Sequence, residues 1–346
     1  MNELLKNLLL MRVIFKYYAK RALLSVCRYV LPVFLLVLPL TTVNAETQAG
    51  LSAQTLINNM SHAVRNLNYD GIFIYQRGGQ MNTLRLIHKA EDEVERLVSL
   101  TGSAREVIRN KDSVTCIFPD DQAVMVEKSR PRELLSSQLP ESIDQLVNNY
   151  AFSILGEDRV AGRETWIVSI KPKDAYRYGY RFWIDQQTHF LLKSELKNRT
   201  GLLLEQVMFT QLKILDSIPD EMLKPSISGA GFTWHNNSKD VGELDADTGR
   251  WSVGWMPDGF TKNKHEMYPT ADKKRPVDHM VYSDGLAMVS IFIEKMETGS
   301  GMSAGFSKMG GINTYAKTAN GYQVTAVGEV PQATVQKMAN SVTSNQ

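Results

Sequence analysis

Cysteine is nearly missing from this sequence. The 346 residues contain two, Cys27 and Cys116, and Cys27 lies in a segment expected to be removed, so no disulfide staples the mature chain. The fold must stand on its core. Histidines stand at 62, 88, 189, 235, 265 and 279, without H-E-x-x-H or another metal-ligand spacing. No glycine-rich phosphate loop opens a predicted helix. Gly301-Met302-Ser303-Ala304-Gly305 has the form of a nucleophile elbow, yet no histidine follows Ser303 and the next stretch is again glycine-rich. Cys116 sits within a predicted strand beside Val114 and Phe118 on one face, where a thiol is an inert packing group. With no catalytic constellation, the expectation is a binding protein: no enzyme, no cofactor, no metal.

Long apolar runs are also lacking. The longest, residues 30–40, spans about 11 residues and holds Pro32 and Pro39, short of the roughly 20 that cross a bilayer. Arg12, Lys16, Lys20, Arg21 and Arg28 precede it and Val43-Asn44-Ala45 follows, the pattern of a cleavable export signal cut after Ala45. Met11 is an alternative start. The formal charge of +2 over the full sequence becomes −3 once residues 1–45 go, leaving 33 basic and 36 acidic residues. A slightly acidic chain without a basic stripe excludes nucleic acid as the expected partner. No cysteine stands directly after the cut, where Glu46 would begin the chain, to carry a lipid. The expected location is therefore the periplasm, in soluble form.

What is present is short, alternating strand pattern. Residues 95–126 read as four β segments (95–100, 105–109, 113–118 and 123–126) divided by Thr-Gly-Ser, Asn-Lys-Asp and Pro-Asp-Asp turns. Turns this short join antiparallel neighbours. Before them, Leu56, Ile57, Met60, Val64 and Leu67 recur at helical spacing behind Ser52 as N-cap, predicting a helix over 53–67. Strands are expected at 69–76 and 83–89, then at 150–158, 165–170, 176–184, 190–196 and 202–215. Ser142 and Gln145 with Ile143, Leu146, Val147 and Tyr150 predict a short second helix. Ten or eleven antiparallel strands must curl or close.

Pro219, Pro225, Gly229 and Gly231 interrupt every period, so residues 219–231 read as a linker between a large domain at 46–218 and a small one at 232–346. In the small domain Asp284-Gly285 and Asn320-Gly321 sit where hairpins turn. Pro331 then opens a helix carrying Val335, Met338, Ala339 and Val342. Four to six antiparallel strands closed by this helix are expected, with residues 297–311 as a mobile loop. Lys128, Arg130 and Arg132 form one charge cluster and Lys273, Lys274 and Arg275 another; each reads as a solvated loop or an anion contact. The aromatic-rich strands allow packed core or a concave apolar cavity for a small ligand.

The segments NYDGIFIYQRGGQMNTLRLIH, ERLVSL followed by REVIRNKDSVTCIFPD, LLEQVMFTQLKI, VDHMVYSDGLAMVSIFIE and YQVTAVGEVPQATV strongly resemble, in order along nearly the whole mature chain, the RseB/MucB family. These are periplasmic negative regulators of the sigma-E envelope-stress response. RFWIDQQTHFLLKSEL also looks like the half-barrel of LolA-like lipoprotein carriers. The resemblance implies an α+β fold: a large unclosed antiparallel β-barrel with helices on its concave side (LolA/LppX-like), plus a small C-terminal antiparallel α+β domain. It implies a protein that binds the periplasmic segment of a membrane-bound anti-sigma factor of RseA/MucA type and shields it from site-1 proteolysis. Lipopolysaccharide or mislocalised lipid would release it, and it would self-associate as a homo-oligomer. The alternative is a lipoprotein or lipid carrier of LolA type.

On this reading Phe73, Tyr75, Trp166, Phe182 and Trp183 are the expected lipid-trough residues. Tyr282, Asp284 and Phe292 are expected at the partner contact, with Arg177 and Arg181 as polar anchors. Core packing, or at Asp284 turn geometry, is the competing reading for each of them.

Overall fold

In the computed structural model, residues 51–128, 143–236, 250–269, 276–296 and 304–345 are described. The predicted export signal, Arg130, Arg132, Ser142, Lys273, Lys274, Arg275 and Ser303 lie outside them. Ser52 caps the first helix as expected: its hydroxyl accepts the Thr55 N–H at 3.0 Å, ahead of α1 (Ala53–Asn66). Leu56, Ile57, Met60 and Val64 form its buried face. Each such side chain contributes about 1.5–3 kcal/mol on burial, which holds a 14-residue helix that is marginal alone. Leu67 is extended and ends the helix.

The chain then runs through β1 (Asn68–Arg77), β2 (Gln80–Lys89), β3 (Val94–Ser99), β4 (Glu106–Arg109), β5 (Ser113–Phe118) and β6 (Ala123–Lys128). It continues through β7 (Tyr150–Val160), β8 (Arg163–Pro172), β9 (Gly179–Asp185), β10 (Leu191–Lys197), β11 (Leu203–Leu215) and β12 (Thr233–Asn236). All twelve form one sheet in the order β12-β6-β5-β4-β3-β2-β1-β11-β10-β9-β8-β7. Both edges, β12 and β7, remain unpaired to each other, so the sheet curls without closing. The β1–β11 pair joins the two halves antiparallel, with a register shift at Ile72/Phe73.

Register fixes which side chains share a face. Tyr69, Phe73 and Tyr75 on β1 lie with Val207 and Phe209 on β11, Leu196 on β10 and Tyr180 and Phe182 on β9. This face forms the main core with Leu56, Ile57 and Met60 of α1. Gly71 lets it close: a Cβ there would stand 2.5 Å from the Phe209 ring. Gly71→Ala is expected to lower the unfolding free energy by about 1–3 kcal/mol through overpacking. A urea titration with an unchanged midpoint would show that the ring moves aside at no cost.

The second unit holds β13 (Trp251–Val253), β14 (Thr261–Pro269), β15 (Pro276–Ser283), β16 (Met288–Lys295), β17 (Gly305–Met309), β18 (Ile312–Ala319) and β19 (Tyr322–Gly328). After them come α2 (Gln332–Asn340) and β20 (Val342–Ser344). Six strands make an antiparallel sheet, β14-β15-β16-β19-β18-β17, and β13 pairs with β20. Val335, Met338 and Ala339 of α2 pack with Met280, Val289, Ile291 and Ala326 in a separate small core.

The structure departs from the sequence expectation at four places. Residues 143–149 form successive turns, with Leu146 N–H on the Ile143 carbonyl and Asn149 and Tyr150 N–H on the Leu146 carbonyl, and no second helix forms there. The chain enters β7 at Tyr150 before a helical nucleus can propagate. Gly305–Met309 is a strand paired with β18, where a loop was expected. Thr233–Asn236 pairs parallel with β6, so the large sheet takes up chain beyond Gly231. Cys116 is half-buried, because on β5 the buried position is Ile117, on the opposite face. Burial still pushes its thiol pKa up, which keeps it a poor nucleophile.

Candidate functional site

The small unit docks onto the concave face of the large sheet, and that contact is where the polar chemistry concentrates. Leu286, from the turn between β15 and β16, is a member of the large core. Beside it Asp284 accepts the Leu286 and Ala287 N–H groups on Oδ1, at 2.9 and 2.7 Å. These bonds build the tight turn that the Asp-Gly pair announces. Its Oδ2 accepts the Arg177 Nε–H at 2.6 Å and the Tyr150 hydroxyl at 3.0 Å. Arg177 is fully buried and completes its bonding on the Asp174 carboxylate and the Asp258 carbonyl, with its guanidinium 5.1 Å from the Phe260 ring centre. Burial, then the Asp284 charge, raises the Tyr150 pKa well above its ordinary value, so its hydroxyl stays a donor. A buried charge survives only when paired and bonded in this way.

A second polar cluster lies across the same contact. Arg77 on β1 donates from Nε to Glu205 on β11 at 2.8 Å. Glu329, between β19 and α2, accepts the Tyr180 hydroxyl at 3.3 Å and stands within hydrogen-bonding reach of Glu205. The guanidinium bonds Glu205, and Glu329 lies near both. Desolvation and the neighbouring Glu205 charge push the Glu329 pKa up from the ordinary 4.5 to about 7. The folded chain therefore retains a proton that the unfolded chain releases, and stability falls as pH rises from about 4.5 to about 7. Tyr180 and Tyr75 are likewise raised, by burial first and by Glu329 and Glu205 respectively. Asn313 links the units once more, donating to the Tyr178 hydroxyl at 2.8 Å and the Val330 carbonyl at 2.7 Å.

Of the expected trough residues, Phe73, Tyr75, Trp166 and Phe182 share the concave face, whereas Trp183 points to the other side. Phe73 packs 5.4 Å from Phe209 and Phe182 is fully buried beneath the core; Trp166 is half-buried against His189 at 5.9 Å. Trp183 donates its indole N–H to Asp158 at 2.8 Å and lies under the Lys193 ammonium at 4.0 Å. Leu56, Ile57 and Met60 of α1 and Leu286 of the small unit share the core cluster with Phe73 and Phe182, and Tyr75 and Trp166 pack against it. Arg181 is half-buried on the outer face beside Trp183, Tyr282 is buried in the small core, and Phe292 stacks on His279 at 4.3 Å. Arg177 and Asp284, chosen separately, are bonded to each other.

Sequence reasoning missed Glu205, Glu329 and Asn313. Only Glu205 left a signal, as a charge at a two-residue period with the apolar Val207 and Phe209.

Comparison with known proteins gives the geometry a context. Residues 52–227 match the MucB/RseB N-terminal domain and residues 245–343 the MucB/RseB C-terminal domain. The sigma factor AlgU regulatory protein MucB of Pseudomonas aeruginosa is 32% identical over 310 residues, 86% of this chain and 92% of that protein. The sigma-E factor regulatory protein RseB of Haemophilus influenzae is 29% identical over 297 residues, 84% of this chain and 91% of that protein. A crystal structure of MucB in complex with MucA(peri) superposes with a TM-score of 0.66 at 28% identity, over 85% of this chain and all of that one. With both domain models matched along the chain, this protein belongs to the MucB/RseB family.

Proposed function

We propose that the chain is a periplasmic regulator that binds the periplasmic segment of a membrane-bound anti-sigma factor of RseA/MucA type and protects it from site-1 proteolysis. The observation that carries this is the match to MucB solved with MucA(peri), which extends over both units and not over the half-barrel alone. Among the described residues no helix is long and apolar enough to cross a membrane. Residues 1–45 serve as a signal peptide, 46–218 as the large domain, 219–231 as linker and 232–346 as the small domain, apart from Thr233–Asn236, which pairs with the large sheet. Lipopolysaccharide or mislocalised lipid releases the partner by differential binding to the free form. Phe73, Tyr75 and Trp166 are reached by acyl chains only where α1 and the small unit yield. Arg181 and Phe292, both half-buried, meet the partner directly. Arg177, Asp284 and Tyr282 set the docking that presents them, and the chain self-associates, as sedimentation would show.

The test mixes the mature chain with the anti-sigma periplasmic segment and its site-1 protease, with and without lipopolysaccharide. Cleavage is expected to slow as the chain saturates the segment and to recover with lipopolysaccharide. Equal cleavage with and without the chain overturns the reading. Transfer of a lipoprotein to an acceptor in a parallel assay would instead favour a carrier.

A further inference from the structure

We propose that Glu329, packed beside Glu205 and Arg77, forms a proton-operated latch between the two units, closed while Glu329 holds a proton and released when it ionises. Each unit contributes one carboxyl: Glu205 from β11 of the large sheet, Glu329 from the segment between β19 and α2. The groups facing them from every packed element are Arg77 and Tyr75 on β1, Tyr180 on β9 and Tyr178, with Lys308 exposed at the rim of the same cleft. Arg77, half-buried, supplies the cluster's positive charge, and Glu205 already takes its Nε–H. With Glu329 protonated the cluster is neutral. With Glu329 ionised it carries one uncompensated negative charge in a poorly solvated contact, which separation of the units relieves by admitting water.

The backbone is shaped for close approach at this point. Gly310 holds a left-handed φ of 60°, and a Cβ there would meet the Arg77 side chain at 2.3 Å; a Cβ on Gly311 would meet Leu196 at 2.6 Å and Glu329 at 3.3 Å. Any larger residue in that turn would hold the units apart. A cleft of about 560 Å³ runs between the β1–β2 turn, the start of β11 and residues 308–310, so the contact has an edge from which water enters. The other tie, Arg177 on Asp284, is a fully buried ion pair, and it acts as the pivot. The latch is read from this chain alone and stands whether or not the partner proposed above binds.

Spin labels at Gln80→Cys and Lys308→Cys, across the cleft in a Cys116→Ser background, report the separation by pulsed electron resonance from pH 5.5 to 8.5. A short-distance population is expected to give way to a longer one around pH 7, by at most about tenfold per pH unit, the limit for one proton. In Glu329→Gln the short distance should persist at every pH. In Glu205→Gln the opening should disappear, because ionised Glu329 is then balanced by Arg77 and no uncompensated charge drives the units apart. Unchanged distances in the unsubstituted background, or an identical transition in Glu329→Gln, overturn the latch. Should Glu329→Gln fail to fold by circular dichroism, Glu205→Gln decides alone, and a transition that persists there rejects it.

Discussion

Asp284→Ala is expected to cost about 3–5 kcal/mol of unfolding free energy, the largest single-site loss at the contact between the units. The substitution leaves the Arg177 guanidinium buried opposite an empty methyl pocket, and it removes the acceptor of the Tyr150 hydroxyl and of two turn N–H groups. Asp174 and the Asp258 carbonyl still hold Arg177, which places the loss toward the lower end of that range. Arg177→Met keeps the volume but leaves the buried Asp284 without its counter-ion, held by Tyr150 and the two N–H donors alone, so a loss of similar size is expected. Urea titrations of the two variants and their double mutant measure the coupling. Additive losses would mean that the pair contributes nothing beyond its separate bonds. A single transition splitting into two in Asp284→Ala would show that this pair keeps the units unfolding together.

Phe182→Ala should cost about 3–5 kcal/mol, as large-to-small changes in a close-packed core do. Phe182 is fully buried and packs beside Tyr180, its ring centre 5.7 Å away, in the core that α1 closes. On the sequence alone it was a candidate for lining an open trough. If it lined a lipid site, truncation would change ligand affinity and leave the unfolding midpoint almost unmoved. The present geometry predicts the reverse: a large fall in the urea midpoint, with a cavity that Leu56 or Met60 fills in part. A loss below about 1 kcal/mol would mean that the pocket collapses freely or that the ring is not in the core.

Local pattern made much of the fold legible. The helix behind Ser52, the antiparallel run through β5 and the Asp284-Gly285 and Asn320-Gly321 turns each follow from spacing within a few residues. The second helix was misread because Ile143, Leu146 and Tyr150 have helical spacing, yet their burial is satisfied by turns that pass directly into a strand. The same limit applies to the aromatic strands: period two showed that Phe182 and Trp183 face opposite ways but not which face the helix would cover.

The sequence by itself determined most of the strand segments, the first and last helices and the family. Each is a property of neighbours along the chain. Only the tertiary structure decided that Arg177 and Asp284, 107 positions apart, neutralise each other, and that Glu205 and Glu329 meet over one arginine. Contacts between distant residues depend on how two sheets dock, and docking is set by the summed burial of many side chains, none of which announces its partner. The trough shows the same division. Its aromatics were readable one by one, while their cover by α1 and by the turn at Leu286 appears only once the small unit is seated on the concave face.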